Sequence, residues 1–186
     1  MKLIPIFISN DSDDGLWSIQ LDGESQSEFD KFFDLVNDIE RLHDFFDKNK
    51  GDLHSGFFES ITIGVAISKT LDEAEDMENS LYDYSEQGFQ GEGATLQHLF
   101  KPLNNFEYAI TILQKSKARV RKGWLRLYAV RLAENCYLVT GGAIKLTPDM
   151  KREHLQYELS KLEQTKQFLQ SNGIDYPEDL NIYKDE

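Results

Sequence analysis

The stretch Lys115-Ser116-Lys117-Ala118-Arg119-Val120-Arg121-Lys122-Gly123-Trp124-Leu125-Arg126-Leu127-Tyr128-Ala129-Val130-Arg131 holds seven basic residues and no acid. Its second part alternates. Leu125, Leu127 and Ala129 point one way, and Trp124, Arg126, Tyr128 and Val130 the other, which predicts a strand over Trp124–Leu132. Glu134-Asn135 then forms a tight turn into a second strand, Cys136–Thr140. Gly141-Gly142 interrupts the pattern, and Ala143–Leu146 resumes as a short strand or strand extension. Thr147-Pro148-Asp149 reads as a helix start, with Thr at the N-cap, Pro at the first helical position and Asp in the first turn. That helix runs to about Ser171, with Leu155, Leu159, Leu162 and Leu169 inward, and closes at Asn172-Gly173. A basic meander followed by a capped helix is an α+β pattern.

Upstream, Leu3–Ser9 and Leu16–Leu21 read as a hairpin around the turn-rich Asn10-Asp11-Ser12-Asp13-Asp14-Gly15. The turn resembles a calcium loop, but its twelfth position is Leu21 where a bidentate Glu is required. Ser27–Lys48 carries Phe29, Phe32, Phe33, Val36, Ile39, Leu42 and Phe46 at three- and four-residue steps, which predicts one helix ending near Asn49. Ile63, Ala66, Ile67, Leu71, Ala74, Met77, Leu81 and Tyr84 form a second stripe, predicting a long helix from about Thr62 to Gln87. A competing reading starts that helix at Thr70, with Thr70 and Glu73 as a capping box. Gln87–Thr95, with Gly88, Gly91 and Gly93, reads as a loop and a boundary. Leu96–Phe100 reads as a helical turn closed by Pro102, and 175–186 as a loosely ordered acidic tail. The expected organisation is an acidic β-hairpin and helical region over 1–95, an α+β core over 96–174, and the tail. The fold class is α+β: a small antiparallel sheet with packed helices, preceded by the hairpin and two long acidic amphipathic helices.

The 186 residues include twelve Phe, eight Tyr and two Trp, enough aromatic content to build a core despite a net charge of −13. The charge is unevenly spread. Residues 1–95 hold 6 Lys+Arg and 22 Asp+Glu, whereas 101–152 hold 11 and 3. A mean negative potential repels nucleic acid, but a local basic stripe still attracts it. The single Cys136 permits no internal disulfide, which suggests a reducing compartment. No run approaches the roughly 18 apolar residues of a membrane span, and Met1–Ser9 lacks a signal-peptide cleavage site. A cytoplasmic location is expected, with no membrane partner.

Few residues carry a chemical signature. His43, His54, His98 and His154 fall in four segments with no partner four residues on, so no zinc site is expected. No phosphate loop or dinucleotide fingerprint appears, and no cofactor is expected. Cys136 sits in an apolar strand and reads as core. The basic stretch is the informative feature. If extended, Lys117, Arg119 and Arg121 share one face, Arg126 and Tyr128 share a face of the next strand, and Lys145 and Thr147 share a face of the third. Lys115 and Arg131 belong to the same run. If those faces coincide, they form a phosphate-binding surface, with Arg donating bidentate bonds, Lys a point charge and Tyr a stacking plane. Alternatively, these cations pair with the acidic helices of the first half.

The segments Leu99-Phe100-Lys101-Pro102-Leu103, Lys115–Arg119, Trp124–Val130, Tyr137–Gly142 and Lys145-Leu146-Thr147-Pro148 together resemble the RelE/ParE superfamily of bacterial toxins, above all its HigB-like, phage-derived branch. The likeness covers about Leu96–Ser171; residues 1–95 match no pattern of that family. The resemblance implies an mRNA interferase, with RNA or the ribosome as target and an antitoxin protein as partner. In that family the RNA's own 2′-hydroxyl attacks the adjacent phosphate while basic groups hold the added charge. By position, Lys117 and Arg119 would hold phosphate, with Lys115, Arg121 and Arg131 contributing to the same binding surface. Arg126 would stabilise the transition state, Tyr128 would stack or hydrogen-bond, and Lys145 would lie nearby. This chain is longer and more acidic than such toxins, and no histidine lies in its strand region. The competing expectation is a non-enzymatic interaction protein whose acidic helices cover the basic sheet or bind a basic partner. A small-molecule enzyme has no positive motif.

Overall fold

The computed structural model describes residues 1–55, 57–58, 61–91, 93–104, 109–120 and 122–184. In chain order the elements are β1 (Lys2–Ile8), β2 (Gly15–Gln20), α1 (Glu28–Val36), α2 (Ile39–Lys48), α3 (Lys50–Leu53), α4 (Ile63–Gln90), α5 (Leu96–Leu99), β3 (Phe100–Pro102), β4 (Gln114–Ala118), β5 (Leu125–Ala133), β6 (Cys136–Ile144), α6 (Glu153–Ser171) and a 3-10 helix (Pro177–Tyr183). The class is α+β. The strands form one six-stranded sheet in the order β1-β2-β6-β5-β4-β3.

The sheet is not purely antiparallel. β2 runs parallel to β6, with Gly15 opposite Cys136 and Ser18 opposite Val139. The hairpin of the acidic half is thereby built into the same sheet as the basic strands. Alternation along β5 separates two cores. Leu125, Leu127 and Ala129 pack with Phe32, Val36, Leu42, Phe46, Met77 and Leu81 from α1, α2 and α4. Tyr128, Val130 and Leu132 pack on the other face with Leu155, Leu162 and Leu169 of α6.

Three expectations are corrected. The predicted Ser27–Lys48 helix breaks at Asn37-Asp38, because the Asp38 carboxylate accepts the N–H groups of Glu40 and Arg41 at 2.9 and 3.0 Å and starts a new helix. Ile39, counted in the apolar stripe, is consequently 60% exposed. The final helix begins at Glu153, not Thr147. The Thr147 and Pro148 carbonyls instead accept the Lys145 ammonium at 2.5 and 2.9 Å, and the Thr147 hydroxyl donates to Asp149 O. Nor is the described part of the tail loose. Leu180 is fully buried, the Asp179 carboxylate caps the segment through Asp175 N and Tyr176 N, and Asn181 donates to Asp13 at 2.8 Å.

The long helix begins where expected. The Thr62 hydroxyl caps it, and Gly91 closes it in the left-handed conformation (φ 69°). The competing capping pair is used differently: the Thr70 hydroxyl bonds back to Ala66 O, and Glu73 faces β5. Gly141-Gly142 lies within continuous β6 at a bulge that shifts the β5 register between Tyr128 and Ala129. A Cβ on Gly141 would meet Glu158 Oε2 at 2.1 Å, and one on Gly142 would meet the Phe32 ring at 2.3 Å. The glycine pair therefore lets α6 and α1 close on opposite faces of one strand.

Candidate functional site

A cavity of about 700 Å³ opens beside the β3, β4 and β5 end of the sheet. Its lining includes Lys117, Arg119, Arg126, Tyr128 and Lys145, with Phe57, His98, Lys101 and an apolar wall of Leu99, Leu103, Met150 and Leu159. Strand pairing accounts for the convergence. Lys117 on β4 is opposite Tyr128 on β5, Arg126 is opposite Ala143 on β6, and the Lys145 N–H donates to Trp124 O at 2.8 Å.

Main-chain oxygens hold the cationic heads. Arg126 Nη1 donates to Gly123 O at 2.8 Å and Leu125 O at 2.7 Å. Its Nε and Nη2 have no partner among the described residues. Lys117 Nζ donates to Leu103 O at 2.7 Å. Lys145 Nζ is held by the Thr147 and Pro148 carbonyls. Arg119, just past β4, is exposed.

Arg126 is also braced from behind. Glu73 of α4 is buried, and its carboxylate accepts Leu125 N at 3.0 Å and Trp124 N at 3.2 Å. A Cβ on Gly123 would sit 1.5 Å from Glu73 Oε1, so glycine is required for this approach. Burial raises the Glu73 pKa, against these two hydrogen bonds and the nearby Arg126 charge.

The cations repel one another. Burial lowers the pKa of Lys117, Arg126 and Lys145. Arg126 and Arg119 lower Lys117 further, Arg119 lowers Arg126, and Arg126 and Lys117 lower Lys145. No carboxylate occurs among the described residues lining the cavity. An anion entering here would offset the repulsion among these cations.

The remaining expected residues separate from this group. Lys115 forms an ion pair with Glu163 of α6. Arg131 donates to the Gln97 side chain at 3.0 Å. Neither lines the cavity, and Arg121 lies outside the described residues. Tyr128 lines it but is only 1% exposed, with its hydroxyl 3.6 Å from Met150 Sδ. Burial pushes its phenol pKa well up. A ring so enclosed offers no stacking plane.

Among the lining residues that the sequence did not mark as site residues are His98 and Phe57. His98 comes from α5, outside the basic strands. Its Nδ1 lies 3.1 Å from Thr95 N and 3.3 Å from Thr95 O. Its ring stacks on Tyr84 at 6.1 Å and 11°. Phe57 comes from the acidic half and is 48% exposed. No periodicity singles out either one; only the preceding Thr95, as a helix cap, marks the His98 turn.

Three ion pairs among the described residues join the two halves and involve none of the cavity cations. They link Arg152 to Asp52, Lys161 to Glu28 and Lys184 to Asp13. Among the described residues, no group of three or more His, Cys, Asp or Glu is arranged to hold a metal. No described helix is long and apolar enough to cross a membrane. The chain matches no family model, no curated protein and no solved structure.

Proposed function

We propose that the cavity binds the phosphate backbone of RNA and that the protein acts as a RelE/HigB-like, toxin-type ribonuclease. One observation carries this reading: Lys117, Arg119, Arg126 and Lys145 converge on a single cavity whose described lining has no carboxylate. Arg126, with Nη1 anchored and its Nε and Nη2 without a partner among the described residues, is suited to a phosphate whose charge grows during reaction. The 2′-oxygen forms a bond to phosphorus and the bond from phosphorus to the 5′-oxygen breaks. The 2′-hydroxyl proton passes to solvent, and a protonated His98, its Nδ1–H donating to Thr95 O, gives its Nε2 proton to the leaving 5′-oxygen and returns to the neutral imidazole.

Incubating the pure protein with single-stranded RNA and with ribosomes carrying message tests this reading. Cleavage is expected, together with growth arrest on expression that Arg126→Ala relieves. Loss of binding in that variant should be about tenfold or more. If the wild type neither cleaves RNA nor associates with ribosomes, the ribonuclease reading is wrong. A second reading, phosphate recognition without cleavage, draws on the burial of Tyr128, which withholds its hydroxyl from a substrate. RNA binding with no product at any pH would select it.

A further inference from the structure

Phe57 stands at the rim of the cationic cavity with nearly half its surface in water. A phenylalanine with nearly half its surface in water gives up part of the gain from burial, and this one is held in place by a chain of rings. Phe57 meets Phe58 edge to face at 4.9 Å and 77°, and Phe58 meets Trp124 at 5.4 Å and 88°. Trp124 is fully buried, and its indole N–H donates to Thr70 Oγ1 at 3.0 Å. The Lys145 ammonium lies 5.9 Å from the Phe57 ring centre, so the ring borders the phosphate-binding charges. The cavity, at about 700 Å³, is far larger than one phosphate requires and has an apolar wall of Leu99, Leu103, Met150 and Leu159. Specific small-ligand sites span roughly 300–1,000 Å³. An inorganic anion has no use for such a wall or for an aromatic rim, whereas a nucleotide uses both.

We infer that the site takes one unstacked nucleotide of single-stranded RNA, its phosphate on Arg119, Arg126 and Lys145 and its base against Phe57. The inference rests on the reading of the cavity as an RNA phosphate site. It gives the acidic half a direct part in recognition: Phe57 supplies a flat apolar face that every base can meet, so affinity gains little sequence preference.

The test uses the full chain and two probes of equal length, a fluorescent single-stranded RNA and its abasic sugar-phosphate counterpart, measured by anisotropy. Wild type should bind the RNA more tightly than the abasic strand. Phe57→Ala should weaken RNA binding by about ten- to a hundredfold and leave abasic binding within about twofold; Phe57→Trp should retain RNA affinity, which separates stacking from a folding defect. Equal losses on both probes, or no loss on RNA, overturn the inference. If Arg126→Ala leaves both affinities unchanged, the phosphate reading itself is wrong. If it weakens both while Phe57→Ala weakens neither, only the stacking role is lost.

Discussion

Replacing Glu73 by Ala should damage both the fold and the site, because one carboxylate holds the start of the strand that carries Arg126. Glu73 accepts the N–H groups of Trp124 and Leu125, while Arg126 is anchored on the carbonyls of Gly123 and Leu125. The two side chains grip the same short peptide segment from opposite sides. Alanine leaves two buried N–H groups unpaired, each costing about 1–3 kcal/mol. Part of that cost is offset because a carboxylate whose pKa burial has raised no longer needs desolvating. The net loss should be about 2–4 kcal/mol. Urea unfolding measures it, and anisotropy with single-stranded RNA measures the site. Affinity should fall even at temperatures where the variant is folded, because the Arg126 head loses its fixed anchor. A loss of stability below about 1 kcal/mol with unchanged RNA affinity would show that Glu73 neither braces the strand nor positions Arg126. Gly123→Ala should reproduce the defect, since its Cβ enters the space of the same carboxylate.

His98→Ala should lower RNA cleavage by about 10²–10⁴-fold while leaving RNA affinity within about twofold, as single-turnover and binding assays on one preparation will show. Lys115→Ala and Arg131→Ala should each reduce RNA affinity by about threefold or less, since both side chains are engaged away from the cavity. Burial pushes the Glu158 carboxyl up to about 7 from 4.5, with Lys161 opposing. A raised folded pKa means stability is fully present below pH 4.5 and lost as pH climbs through about 7, so thermal midpoints should fall across that window and flatten in Glu158→Gln. Cys136 is buried and its thiol pKa is pushed far up by that burial, so Ellman's reagent should leave the native protein unmodified and titrate the single thiol only after unfolding.

What the sequence discloses depends on how local the deciding interaction is. The hairpin, α4 and the β5–β6 pair rest on alternation and period among neighbours, and all appear. The break at Asn37-Asp38 is decided by a side chain competing for two N–H groups, which an apolar stripe does not register. The helix start at Thr147-Pro148 has the right residues, but Lys145 takes its carbonyls first. Parallel pairing of β2 with β6 leaves no mark in either strand. In the site, alternation placed Lys117 with Arg119 on one face, Arg126 with Tyr128 on another and Lys145 on a third, and the cavity unites these five. Phe57 and His98 arrive from segments with no basic pattern, so only three dimensions bring them there. Tyr128 shows the converse: its position is right, yet its ring is enclosed.

The pairing of β2 with β6 also sets a clock on biosynthesis. Ser18 waits for Val139 before the two strands can meet, a delay of roughly 6–25 s at ordinary translation rates of about 5–20 residues per second. Until then the hairpin has an open edge, and the strand that bears Arg126 is paired only on its β4 side. The six-stranded sheet is complete only once β6, ending at Ile144, has been made, and Lys145, Met150 and Leu159 of the cavity lining come later still.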